Sequence, residues 1–473
     1  MKSGGRYLWN LGVPLLSRGI NFIVLPFTLI LFDYRNFVSL TYASMLVAGI
    51  SIIASLGNAP RLLKKSIDNS LSIKLTCIIL IQLIVFWMMI CTFASTLSLD
   101  LPQNFSKLDK TVFLLVLIEG IVMGFTNDIP FKVFQGKKHY SNSNSLSFLL
   151  IILLGPVRLL ITWFLGPTLL LWITLAVIFR IVILIVALLK VREIISVDKT
   201  PRTRLTQFIK NLLQPTIFGH RNFLILLSLN MWMLGSLDRL LIPTLLSPKE
   251  GAAYQIAYAC ASTIGLISMQ VMYLQTHNLM SLDKDISIHA IARIISTFRF
   301  IVLVSLPILP IFFWMFFHEF KHEYLMFLIG ISFSQFLWSV VQVQLLLITS
   351  KLSKVRSPLV VTLLAIISQI VLIKLIVGEN LKLLLPVIII LGCLICFVFF
   401  NFINHDFGEA LRLKISRRSK CEVLATLIVL SIGIFSQTDN IVCVEIILFL
   451  YSITLLLSKK KQIVADWKYS VHG

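Results

Sequence analysis

Acidic residues are scarce in this chain: Asp and Glu number 21 among 473 residues, against 42 Lys and Arg, and charged residues of both signs make up only 13%. A soluble domain carries roughly 25%, so water is excluded as the main solvent. Cysteine is sparse as well. Of the seven, all but Cys421 lie within or beside apolar runs. The pair Cys393 and Cys396 sits deep in one run, without the strand-to-helix context of a redox motif, so neither a disulfide nor a metal site is assigned. The eight histidines (His139, His220, His277, His289, His318, His322, His405 and His472) fall in connections, tails or run ends. That leaves no buried histidine constellation for an integral-membrane acyl- or glycosyltransferase. Long polar stretches are also missing, and with them the room for a nucleotide-sugar domain with acidic metal ligands.

What is present is apolar sequence, 58% of the chain. About 20 residues cross a bilayer core as a helix, so a chain of this length holds about fourteen spans. Runs of that kind fall near 12–32, 37–57, 75–97, 112–131, 146–165 and 168–189. After a basic stretch over 190–221 they resume near 223–246, 252–274, 298–317, 324–349, 359–377 and 383–402, followed by shorter runs at 423–435 and 441–457. The pattern predicts an all-α integral membrane protein with two six-helix lobes, 1–200 and 201–418, and two further helices in 419–473. The first run is a full span with no small-residue cleavage motif after it, so it is expected to stay as a helix.

Orientation follows from the basic residues, which are retained on the cytoplasmic side of short loops. Every second connection holds a cluster, such as Arg61/Lys64/Lys65, Lys132/Lys137/Lys138 or Lys351/Lys354/Arg356. Roughly 30 of the 42 basic residues fall on one side and about 6 on the other. Both termini are therefore expected in the cytoplasm. The net charge of +21 lies between apolar runs instead of forming a patch, which argues topology and not nucleic-acid binding.

The two halves begin alike. The first run leads into Asp33-Tyr34-Arg35-Asn36 and then Tyr42, and the seventh into Ser247-Pro248-Lys249-Glu250-Gly251 and then Tyr254 and Tyr258. A short polar turn followed by a helix with an early tyrosine suggests a parallel internal repeat. The most specific text is Asp238-Arg239-Leu240-Leu241-Ile242, the Pro248-Lys249-Glu250-Gly251 turn, and Ala253-Tyr254-Gln255-Ile256-Ala257-Tyr258. It resembles the seventh and eighth helices of polysaccharide transporters in the multidrug/oligosaccharidyl-lipid/polysaccharide exporter superfamily, most of all the O-antigen (Wzx-type) flippases. The first half departs from that pattern, reading Val38-Ser39-Leu40-Thr41-Tyr42. The resemblance implies a bacterial inner-membrane flippase, not an enzyme, that moves an undecaprenyl-diphosphate-linked oligosaccharide by alternating access. It further implies membrane lipids and other polysaccharide-assembly proteins as partners. A multidrug or toxin extruder of the same superfamily is the close alternative.

An ionisable group in a span costs roughly 2.5–3.5 kcal/mol on insertion scales and usually faces protein or a wet cavity. The candidates are Arg18, Glu119, Asp128, Arg158, Arg180, Asp238, Arg239 and Lys374. Cations predominate, which suits a diphosphate held by guanidinium forks. Arg18, Arg158, Arg239, Arg180 and Lys374 are thus the expected phosphate-binding set. Arg158 comes soon after Gly155-Pro156, where a missing backbone donor should loosen the helix. Arg180 and Lys374 are read near span ends, where basic stems snorkel to the interface. Asp238 and Arg239 point apart on a helix, so each needs its own partner.

Sugar contacts are expected from Asn21, on the face of Arg18, and from the stripe Gln335, Trp338 and Gln342, because amides bond hydroxyls and an indole covers a sugar face. Ser44, Ser51, Ser55 and Asn58 form a second small polar stripe, which also suits packing between helices. No cofactor is expected. Coupling to H+ or Na+ would fall to Glu119 and Asp238, the alternative for Glu119 being an ion pair with an arginine such as Arg158.

Overall fold

A computed structural model describes residues 2–55, 58–68, 73–96, 110–195, 221–279 and 356–376, with positions 71, 328, 331, 335, 338 and 341. The expected spans near 298–317, 383–402, 423–435 and 441–457 lie outside the described residues, as does most of 324–349. All described elements are helical: α1 (Lys2–Ala54), α2 (Ala59–Ile67), α3 (Ile73–Thr96), α4 (Lys110–Asp128), α5 (Pro130–Gly136), α6 (Tyr140–Ile152), α7 (Arg158–Leu165), α8 (Leu169–Ile194), α9 (Arg221–Leu245), α10 (Pro248–Leu279) and α11 (Arg356–Ile376). Five stretches among the described residues are long and apolar enough to cross a membrane: Ile23–Ala54, Lys110–Gly136, Tyr140–Leu165, Leu169–Ile194 and Ile225–Pro243. The chain divides into two compact units, Leu16–Ser236 and Met1–Leu15 with Leu237–Gly473.

The burial pattern identifies the solvent. α8 turns Ile178, Val182, Ile185 and Leu189 outward, and α7 exposes Phe164 at 82% and Leu165 at 71%. Polar side chains such as Ser51, Ser55, Thr126 and Glu119 are instead buried. Apolar outside and polar inside is the arrangement that lipid rewards.

Two expected spans are joined in α1, whose 53 residues break at Asp33 (φ 54°, ψ 171°). The Asp33 carboxylate accepts from Asn36 N at 2.8 Å, so the side chain caps the second segment while the backbone leaves the helix. The corresponding turn before α10 is a capping box. Ser247 N and Oγ donate to Glu250 Oε2 at 3.2 and 2.8 Å, and Ser247 Oγ accepts from Glu250 N at 3.4 Å. Cap and partner stand three residues apart in both places.

Within the unit Leu16–Ser236, α4 lies against the second segment of α1 at two glycines. A Cβ on Gly120 would stand 2.6 Å from Ile50, and one on Gly124 would stand 2.4 Å from Ala54 and from the Ser51 carbonyl. Gly120 and Gly124 form the small-xxx-small spacing that lets membrane helices close up. The basic connection at Arg61/Lys64/Lys65 forms the short helix α2, which buries Leu62 and Leu63. It is tied to α5 by Ser66 Oγ donating to the Val133 carbonyl at 3.1 Å. In the polar stripe, Ser44 and Ser51 donate to the carbonyls of Leu40 and Ala48, and Asn58 donates to that of Ser55.

Candidate functional site: an arginine cavity and a tyrosine network

The straight α-helical ladder fails where the sequence predicts it. Between α6 and α7 a π-helical turn, Leu153–Val157, carries Pro156. Proline supplies no N–H there, and the extra residue in the turn rotates α7 about the helix axis. Arg158 is the first residue beyond this turn. It reaches a cavity of about 130 Å³ lined by Ser44, Glu119, Met123, Trp172 and Arg180 among others.

Three charged groups meet in it. Arg180 Nε donates to Glu119 Oε1 at 2.9 Å, with the two side chains 14% and 9% exposed. Arg158 has no such carboxylate. Its guanidinium lies 3.9 Å from the centre of the Trp172 ring, and its enclosed Nε has no hydrogen-bond partner among the described residues. Trp172 is itself fixed by the edge of Phe32, ring centres 5.1 Å apart. Two cations and one anion leave the cavity one positive charge in excess.

One expectation is corrected and another is made specific. Arg180 does not snorkel to an interface: it sits in the middle of α8 and engages Glu119. Glu119 does form the ion pair with an arginine given as its alternative, and the partner is Arg180, with the Arg158 guanidinium lying on the indole. Trp172 is a site residue that sequence reasoning does not single out. Its one signal is a lone indole in the first turn of a helix otherwise rich in Leu, Ile and Val.

In the other unit, the Asp238–Tyr258 text builds a network between α9 and α10. Tyr254 Oη donates to Asp238 Oδ2 at 2.6 Å, both residues being buried. Arg239 donates from Nε to Gln255 Oε1 at 3.4 Å, and Gln255 Nε2 donates to the Arg239 carbonyl at 2.9 Å. The Arg239 guanidinium lies 4.2 Å from the Tyr258 ring centre. Gln335 Nε2 donates to Tyr258 Oη at 2.8 Å and packs against Gly265. Asp238 and Arg239 therefore have separate partners, as adjacency on a helix requires.

The remaining candidates are less defined. Trp338 is helical and half-buried. Arg18, Asn21 and Lys374 lie on helices whose side chains at those positions are outside the described set, and Gln342 lies outside the described residues. Asp128 is hydrogen-bonded to Ser55 and lies beside Lys132, apart from Glu119. Among the described residues no His/Cys/Asp/Glu group could hold a metal ion.

No family model and no curated protein matches the chain. Solved structures do. A MATE protein in complex with MaD5 is similar at a TM-score of 0.57 and 14% identity, over 87% of this chain and 96% of that one. A MATE protein in complex with Br-NRF is similar at 0.52 and 11% identity, over 86% and 96%. Likeness of this length at such low identity is likeness of architecture: the chain has the fold of the MATE transporters.

Proposed function

We propose that this protein is a transporter of the polysaccharide branch, moving an undecaprenyl-diphosphate-linked oligosaccharide from the cytoplasmic to the periplasmic leaflet of a bacterial inner membrane. The observation that carries the reading is Arg158: an enclosed guanidinium nitrogen without an acceptor, in a cavity whose other arginine is already balanced by Glu119. A half-buried cation that lies on an aromatic face, with an enclosed nitrogen still lacking an acceptor among the described residues, is a site for an anion. A phosphate oxygen supplies the missing acceptor, and its charge offsets the excess.

The cavity is small, about 130 Å³, below the roughly 300–1,000 Å³ of drug-sized pockets. It suits one phosphoryl group as an anchor, with the sugars in a wider path and the lipid tail left in the bilayer. Alternating access then needs no bond made or broken. Lobes that rock about the anchored group expose it to one side and then the other. The polysaccharide branch is favoured over the extruder branch by this charge and by the Asp238-to-Tyr258 text. In this reading Arg239 and the cations at Arg18 and Lys374 extend the path, Asn21, Gln335, Trp338 and Gln342 meet sugar, and Asp238 is left for ion coupling.

Binding separates the two branches. Protein in nanodiscs should bind a diphosphate-linked lipid oligosaccharide and lose at least tenfold in affinity with Arg158→Gln, since a charge-assisted hydrogen bond is worth roughly 1.5–3 kcal/mol. Binding of a cationic dye with none of the lipid would favour a multidrug extruder.

A further inference from the structure

The ion pair beside the free arginine has a consequence for how the anion is held. Glu119 and Arg158 line one cavity, yet the carboxylate is bonded to Arg180 and the Arg158 guanidinium lies on Trp172. Arg180 reaches the cavity too. An anion arriving at Arg158 therefore finds a second guanidinium within the same walls, occupied by an internal carboxylate.

We propose that Glu119 is a resident counter-ion that the substrate's phosphate displaces: Arg180 passes from Glu119 to the phosphate, and Glu119 takes up one proton as it lets go. The inference rests on the anion reading of the cavity. Its physics is that of charge in a poorly solvated place. With Arg158, Arg180 and Glu119 alone, the site carries one excess positive charge. The substrate's diphosphate carries two negative charges, one on each phosphoryl group, and would turn that into one excess negative charge unless Glu119 became neutral. A carboxylate stripped of its cation and facing a phosphate is far cheaper as the acid. The proton comes from water, and no other bond changes.

No other described charge interferes. The second segment of α1 brings Ser44 to the cavity and has no ionisable acid or base between Phe37 and Ala54 except Tyr42. The acid and base further along the α4–α5 segment, Asp128 and Lys132, lie beside each other. From α7 the charge is Arg158, and α8 carries Arg180 and, at least ten residues further along, Lys190, Arg192 and Glu193, none of which lines the cavity. α3 has a single charged residue, Lys74, whose side chain is outside the described set.

These charges fix the sign of the coupling. Proton and anion favour each other's binding at this site, and by reciprocity the anion must tighten as pH falls. An exchanger needs the opposite, competition between proton and substrate. Glu119 then serves affinity, and proton exchange, if the cycle uses it, belongs to another group.

The test uses the full chain in nanodiscs, with inorganic diphosphate as probe and calorimetry in buffers of different ionisation heat near pH 7. Wild type should take up close to one more proton per anion than Glu119→Gln. Glu119→Gln should bind roughly tenfold tighter, because no carboxylate competes for a charge-assisted hydrogen bond from Arg180. The neutral pair Glu119→Gln with Arg180→Gln, which removes the ion pair as a unit and leaves Arg158 in place, should return to weak binding without proton uptake. Equal proton counts, or an affinity unchanged or weakened by Glu119→Gln, would overturn the exchange while Arg158-dependent binding kept the anion site standing. If Glu119→Gln does not fold, the wild-type count decides: net proton release no different from that of the diphosphate alone would overturn it. No diphosphate binding by wild type would remove both the exchange and the anion site beneath it.

Discussion

Arg158 and Trp172 concentrate the chemistry of the Leu16–Ser236 unit in one contact. Removing the ring takes away the aromatic face on which the guanidinium lies, and cation–π contacts are worth roughly 0.5–2 kcal/mol. Trp172→Leu should therefore weaken anion binding by a few-fold to about twentyfold in a nanodisc titration, with protein yield less affected. Arg158→Lys should recover little, because a point charge does not stack or fork as guanidinium does. In the other unit Tyr254→Phe leaves Asp238 buried without its 2.6 Å donor. The expected cost is roughly 1.5–3 kcal/mol, read as a lower melting temperature in detergent. Asp238→Asn in the same background should restore part of it, since an amide is less costly to bury than a carboxylate.

At the level of elements, the close approach of α4 to α1 rests on hydrogen atoms where other residues have Cβ. Gly124→Ala would place a methyl 2.4 Å from both Ala54 and the Ser51 carbonyl, so the helices must part, at a cost of about 1–3 kcal/mol. Thermal unfolding followed by size exclusion should show the loss, and an unchanged melting temperature would contradict the packing described. Because α4 carries Glu119, parting the helices should also loosen the Glu119–Arg180 pair. The cap at Ser247 is a milder case: Ser247→Ala should cost about 1 kcal/mol. Much at this scale is legible in the sequence. Gly155-Pro156 foretells the break that sets Arg158, and the turns before the second segment of α1 and before α10 can be matched by residue type. The partner of Glu119 cannot be read that way. A helical period places a side chain on a face, but it does not say which face of α8 that carboxylate meets across 61 residues of chain. The same gap hides Trp172.

For the whole molecule, composition alone identifies the solvent, because 13% charge and 58% apolar residues leave no other medium. The fold is shared with MATE proteins at 14% identity and below, so the architecture tolerates almost complete replacement of side chains. The proposed function has an excess guanidinium charge select a lipid-linked diphosphate for transport. Its most direct test is reconstitution in liposomes carrying a diphosphate-linked lipid oligosaccharide, with the headgroup's appearance in the opposite leaflet measured over time. Wild type should transfer it, and Arg158→Gln should transfer at least tenfold more slowly at equal protein density. Transfer by the variant at the wild-type rate would rule out Arg158 as the anchor, and no transfer by well-folded wild type would rule out the proposed function.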